Sequence, residues 1–148
     1  MENKSLTEID CSGALICARN THRVLLLQKK EGKHAGRWGL VGGTNHSDES
    51  AWQGLCREIN EELGFEPNIK KTLPLERFVS NDSMFKFHTY FCIVDEEFVP
   101  KLSDEHIAWG WFSLENLPKP VHKGLDLSLR NRIIENKIQT ILDIVDLL

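Results

Sequence analysis

The sequence predicts an α/β protein: a mixed sheet covered by helices on both faces, an α/β/α sandwich in one domain over residues 1–148. Three observations predict it. Short apolar runs of strand character flank one central segment with helical periodicity. A second stretch of helical periodicity closes the chain. The length of 148 residues suits one core built without disulfide or metal staples.

The elements follow in order. Residues 9–18 are small and apolar and read as a strand; residues 19–22 are a polar turn. Residues 23–28 carry Val24, Leu25, Leu26 and Leu27, the unbroken apolar run of a buried strand. Residues 29–36 are basic and glycine-containing, hence a surface loop, and residues 38–41 form a short strand closed by Gly42 and Gly43. Residues 48–63 read as a helix. Ser47 or Asp48 can cap it, acidic residues occupy its first turn, and Leu55, Ile59 and Leu63 recur every four residues to face the core. Gly64 stands where the left-handed helix ending favours glycine, and Pro67 follows. Residues 72–80 and 84–94 are strands joined through Asn81-Asp82-Ser83, with Phe85, Phe87 and Tyr90 as strand-favouring aromatics. Residues 107–112 form a further strand. Residues 114–117 are a turn ended by Pro118 and Pro120, and residues 125–147 are one or two helices.

Composition narrows the function. Hydrophobic residues make up 41%, charged residues 27%, and the net charge is -4 with no block of one sign. Broad nucleic-acid binding needs a basic footprint and is not expected. A small phosphorylated ligand remains compatible, because a metal ion reverses the local charge of an acidic site. No stretch of about 18 apolar residues is present, so no membrane partner is expected. Residues 1–10 have no apolar signal-peptide core, so a cytoplasmic location is expected. Cys11, Cys17, Cys56 and Cys92 form no CxxC pair and read as free thiols, not a zinc knuckle.

The chemistry concentrates in residues 43–65. Glu58, Glu61 and Glu62 stand at i, i+3 and i+4, on one face of one helical turn. Like charges at that spacing repel, so either solvent or something positive compensates them. An oxygen-only ligand set suits Mg²⁺ or Mn²⁺, not zinc or copper. Arg57 lies beside Glu58, Glu49 lies more than two turns upstream, and a Gly-Gly turn precedes the helix, where backbone N–H groups can approach phosphate.

These residues carry a resemblance. Gly43, five residues, Glu49, seven residues, Arg57-Glu58, aliphatic Ile59, Asn60, Glu61-Glu62, Leu63, Gly64 and hydrophobic Phe65 match every fixed position of the Nudix box. The chain thus resembles the Nudix hydrolases, with weaker likeness from about residue 9 to residue 120. Val41 stands where many members have proline, and Asp48 where many have glycine. The fragments at 85–98, Glu105-His106, Trp111-Phe112 and Leu117-Pro118 are similar to phage and bacterial members acting on ADP-ribose, dinucleoside polyphosphates or FAD.

The resemblance implies a Nudix-type sandwich and a Mg²⁺- or Mn²⁺-dependent pyrophosphohydrolase. Glu58, Glu61 and Glu62 would be the metal ligands, and Arg57 would pair with Glu49 to hold the ligand helix. Metal neutralises the anionic pyrophosphate and lowers the pKa of a bound water. The base that activates the water is Glu58, Glu61 or Glu105; the last lies in the loop 101–106. Gly43 would approach the phosphates, and Lys29 or Lys30 stands where relatives carry a phosphate-contacting cation. Trp109, Trp111, Phe78 and Tyr90 are candidates to stack on a base or ring, Trp109 foremost. His88, His106 and His122 are not at metal spacing and receive no role. The expected partner is a small nucleotide: a nucleoside diphosphate linked to a second moiety. A homodimer is compatible with this reading. The alternatives are a hydrolase that sanitises oxidised nucleoside triphosphates, and a catalytically silent domain that binds nucleotides only.

Overall fold

A computed structural model describes residues 7–148. The order is β1 (Ile9–Ala18), β2 (Val24–Lys29), β3 (Trp38–Gly39), β4 (Val41–Thr44), α1 (Ala51–Leu63), β5 (Lys71–Val79), β6 (Phe85–Val94), β7 (His106–Phe112), α2 (Lys123–Arg130) and α3 (Arg132–Ile144), ending in a 3₁₀ turn (Val145–Leu147). The strands form one sheet ordered β3-β2-β1-β6-β5, with β4 also paired to β1 and β7 to β2. β1 and β6 run parallel and the other pairs antiparallel, so the sheet is mixed.

Helices cover both faces. α1 sets Leu55, Ile59 and Leu63 against Ala14, Ile16, Leu25, Leu27 and Val41. On the other face α3 sets Ile134, Ile138 and Ile141 against Leu15, Cys17, Val24, Phe91 and Ile93. From Gly13 onward β1 therefore buries both its alternating sets, which is why Gly13–Ala18 is apolar. Each fully buried Leu or Ile contributes roughly 1.5–3 kcal/mol.

The register positions the site. β1 pairs with β2 only at Ile16 and Cys17, whereas its Cys11–Ala14 stretch pairs with β4. β2 pairs instead with β7 along its length, with a bulge between Gln28 and Lys29. The sheet is thus joined at one end and split at the other, and α1 lies over the β4 half.

Two boundaries differ from the sequence reading, and the choice it left open at the C-terminal helical stretch is settled. α1 begins at Ala51, capped by Ser50, with no acidic residue in its first turn. Ser50 Oγ accepts from the Gln53 N–H at 3.2 Å and Gln53 Oε1 accepts from the Ser50 N–H at 2.9 Å, so this reciprocal box fixes the start and leaves Ser47 and Asp48 in the loop. The strand expected to close at Gly42-Gly43 breaks at Leu40 and resumes through both glycines as β4. A Cβ at Gly42 would lie 2.1 Å from the Ser12 carbonyl oxygen, so β4 reaches β1 only with glycine there. The terminal helical stretch is two helices, because Asn131 closes α2 and its Oδ1 accepts from the Ile133 and Ile134 N–H groups of α3. Gly64 takes φ 75° as expected. The four cysteines are free, and among the described residues no helix is long and apolar enough to cross a membrane.

Candidate functional site

α1 delivers its carboxylates to the split in the sheet. Glu62 follows the core-facing Ile59 by three residues and is itself buried. Its Oε1 accepts from the Gly42 N–H at 2.7 Å. Burial pushes the Glu62 carboxyl up to about 8; the charges of Glu58 and Glu105 add to the rise, and the Gly42 hydrogen bond opposes it. Glu58 lies against Gly43, where a Cβ would stand 2.6 Å from its carboxyl carbon. Burial raises the Glu58 carboxyl as well, against the pull of Arg57. Glu61 is the outermost of the three, its side chain 57% exposed.

Arg57 binds the group together. Its Nε and Nη2 donate to the two Glu49 oxygens at 2.8 and 3.0 Å, a bidentate fork. Nη1 donates to Glu58 at 3.1 Å and to both Glu61 oxygens at 3.3 Å, while Nη2 also reaches the Thr44 carbonyl at 3.0 Å. The guanidinium holds the Glu49 carboxyl down at about 2. One arginine thus ties the loop before α1 to the carboxylates on it, the support expected of Glu49 and Arg57.

The other wall comes from the start of β7. The Lys30 N–H donates to the Glu105 carbonyl at 2.9 Å, and Lys29 opposes His106 across the bulge. Glu62, Glu105 and His106 each offer one ligand atom within 4.8 Å of the others. Lys29 Nζ stands 3.9 Å from Glu105 Oε2.

A cavity of about 710 Å³ opens beside this cluster, under α2 and against the sheet face opposite α1. Gly42, Gly43, Glu62, Lys29 and His106 line one part of it, and Phe78, Phe85 and Phe87 from the β5–β6 hairpin line another. Of Lys29 and Lys30, Lys29 lines the cavity; Lys30 is exposed and does not. Trp109, expected at the ligand, does not line this cavity. It pairs with Leu27 and packs into the α1-side core, as do Trp111 and Tyr90. Strand alternation gives the reason: odd positions of β7 from 109 face α1, and of the four stacking candidates Phe78 lines the cavity.

Sequence reasoning missed several groups here. His106, His34, Arg37, His122, Phe85 and Phe87 all line the cavity. His34 and His122 stack with ring centroids 4.2 Å apart, and the charge of Arg37 beside them adds to the burial that lowers both imidazoles. No local spacing marks these residues, because strand pairing and the docking of α2 bring them together. His106 had one signal, its place next to Glu105.

Comparisons with known proteins agree with the geometry. Residues 11–131 match the NUDIX domain family. The dihydroneopterin triphosphate diphosphatase of Haemophilus influenzae is 29% identical over 114 residues, covering 67% of this chain and 70% of that protein. The oxidized purine nucleoside triphosphate hydrolase of Mus musculus is 29% identical, covering 70% of this chain and 67% of that protein. A MutT NUDIX hydrolase from Burkholderia pseudomallei superposes with a TM-score of 0.65 at 27% identity, over 87% of this chain and 97% of that one. With the family matched over most of its length and Glu62 of the box at the cavity, the chain belongs to the Nudix family, pyrophosphohydrolases that act on acid anhydrides.

Proposed function

We propose that this protein is a divalent-cation-dependent hydrolase cleaving the pyrophosphate of a nucleoside diphosphate linked to a second moiety. The observation that carries the reading is the two-part cavity. Glu62, His106 and Lys29 stand at one part, and a three-phenylalanine wall suited to a flat ring stands at the other.

The residues fit a divalent cation. Burial raises the Glu62 and Glu58 carboxyls, and neighbouring carboxylate charges add to it, Glu58 and Glu105 at Glu62 and Glu61 and Glu105 at Glu58, a cost that a cation removes. Glu58, Glu61 and Glu62 would hold it, and their oxygens suit Mg²⁺ or Mn²⁺. When bound, the cation neutralises phosphate oxygens and acidifies nearby water.

The chain's own groups do the rest. Lys29 offers positive charge to the phosphates from β2, and the unsubstituted Gly43 lets them approach the β4 backbone. Arg57 keeps Glu58 oriented through the Glu49 fork. Glu105 accepts the proton of the attacking water: its side chain is 61% exposed and makes only a long ion pair with Lys29, whereas Glu58 and Glu61 both accept hydrogen bonds from Arg57.

The specific observation favouring a second reading, a nucleoside triphosphate substrate, is the basic group Lys29, His34, Arg37 and His122 on the same cavity. Both relatives described above are named for triphosphates. A panel of ADP-ribose, diadenosine triphosphate, FAD, GDP-mannose and nucleoside triphosphates, compared by kcat/KM with product analysis, separates the two. AMP from ADP-ribose or diadenosine triphosphate as the leading activity supports the proposal. A triphosphate cut far faster, with pyrophosphate released, replaces it with the second reading.

A further inference from the structure

We infer that His106 is a nitrogen ligand of the cation and that the site therefore selects a first-row transition cation over Mg²⁺. This rests on the metal-dependent reading above and adds a donor that the Nudix box does not contain.

The His106 side chain is only 6% exposed, yet its Nδ1 has no hydrogen-bond partner. A buried polar atom without a partner costs about 1–3 kcal/mol, so such atoms are rare unless a ligand or ion completes them. Nδ1 faces Glu62 Oε2 at 3.6 Å, too long for a hydrogen bond. Glu62 cannot turn freely to close that gap, because its other oxygen is held by the Gly42 N–H at 2.7 Å. Nor can His106 move freely, because its backbone is fixed opposite Lys29 at the β2 bulge. Two anchored groups therefore hold facing ligand atoms apart, and Glu105, within 4.8 Å of both, stands beside them to act on a bound water. A cation between Glu62 and His106 satisfies both.

The donor set decides the metal. An imidazole nitrogen beside the box carboxylates departs from the all-oxygen shell that Mg²⁺ prefers. Nitrogen raises affinity for transition cations over Mg²⁺, and Mn²⁺ is the weakest-binding of that series, so selection seen with Mn²⁺ is a minimum.

The test is Mn²⁺ titrated into the full chain and read by electron paramagnetic resonance, with electron spin echo modulation to detect directly bound ¹⁴N. The expected result is imidazole nitrogen coupling in the native protein. It is lost in His106→Gln and His106→Asn, with Mn²⁺ affinity lowered about tenfold or more and Mg²⁺ affinity little changed. Mn²⁺ bound tightly with no nitrogen coupling overturns the inference and leaves the hydrolase reading intact. Coupling that survives in both variants also overturns it. Absence of Mn²⁺ binding overturns both. The native-protein spectrum decides the first point even where a variant fails to fold.

Discussion

Gly43→Ala should separate catalysis from folding. A Cβ at residue 43 would meet three atoms of the Glu58 carboxyl at 2.6, 2.7 and 2.8 Å. Ordinary carbon contacts lie at about 3.5–4.0 Å, so the carboxylate must retreat by about 1 Å. It can do so, because it is the far end of a flexible side chain. The fold should lose little: a Tm within a few degrees of the parent. Turnover should suffer, since a misplacement of about 1 Å at a reacting centre lowers the rate roughly 100-fold, or about 2.7 kcal/mol of barrier. Gly42→Ala provides the contrast. There the Cβ would sit 2.1 Å from the Ser12 oxygen and 2.7 Å from the Gly13 Cα, both backbone, so β4 cannot stay on β1. That variant should unfold or melt far lower. The assay is calorimetric Tm beside kcat/KM on the best substrate of the panel. Near-native kcat/KM in Gly43→Ala at native Tm would refute the placement of Glu58 in the chemistry.

Four further outcomes follow from the same geometry. Glu58→Gln and Glu62→Gln should each lower turnover by a large factor at unchanged fold, and activity should vanish in excess chelator; full activity in EDTA ends the metal reading. Glu105→Gln should remove the acidic limb of the pH–rate profile; an unchanged rate moves the base to Glu58 or Glu61. Cys17 and Cys92, their thiols pushed up to about 12 by burial, should resist alkylation at pH 8 while half-buried Cys11 and Cys56 react; rapid native labelling of Cys17 or Cys92 would contradict the packing of β1 and β6. For the Glu49–Arg57 fork, the folded Glu49 carboxyl lies at about 2 against an ordinary 4.5, so its stabilisation is full above pH 4.5 and lost as pH falls from there through 2. Glu49→Gln should flatten the acid limb of stability in that window, and an identical acid limb would remove the fork from the stability account.

What was legible in the sequence was local. The apolar run at residues 9–18 and the four-residue recurrence of Leu55, Ile59 and Leu63 are periodicities of single elements, and the structure places β1 and the α1 core face there. The box glutamates were legible for the same reason: three carboxylates within one turn need no tertiary information to share a face. The start of α1 was misplaced because two competing caps lay nearby, and only the Gln53 partner singles out Ser50. Gly42 and Gly43 read as a turn because glycine signals turns on average; here they sit in a strand so that β4 can touch β1 and leave room for Glu58.

What was illegible arose between elements. Trp109 and His106 lie three residues apart on β7, and the sequence favoured the tryptophan as the ligand contact. A strand with helices on both sides of its sheet is apolar on both faces, so hydrophobicity cannot say which parity meets a cavity. The bulge at Gln28/Lys29 changes that parity at the end of β7, bringing His106 toward Glu62 while Trp109 stays in the core. The same logic applies to Phe85 and Phe87, read as ordinary strand aromatics, and to His122, which caps α2 and reaches His34 only when that helix docks. The three carboxylates Glu58, Glu61 and Glu62 are therefore written on one helix. The groups that would choose the enzyme's substrate and its metal are distributed over β2, β5, β6, β7 and α2, where only the folded register brings them to one cavity.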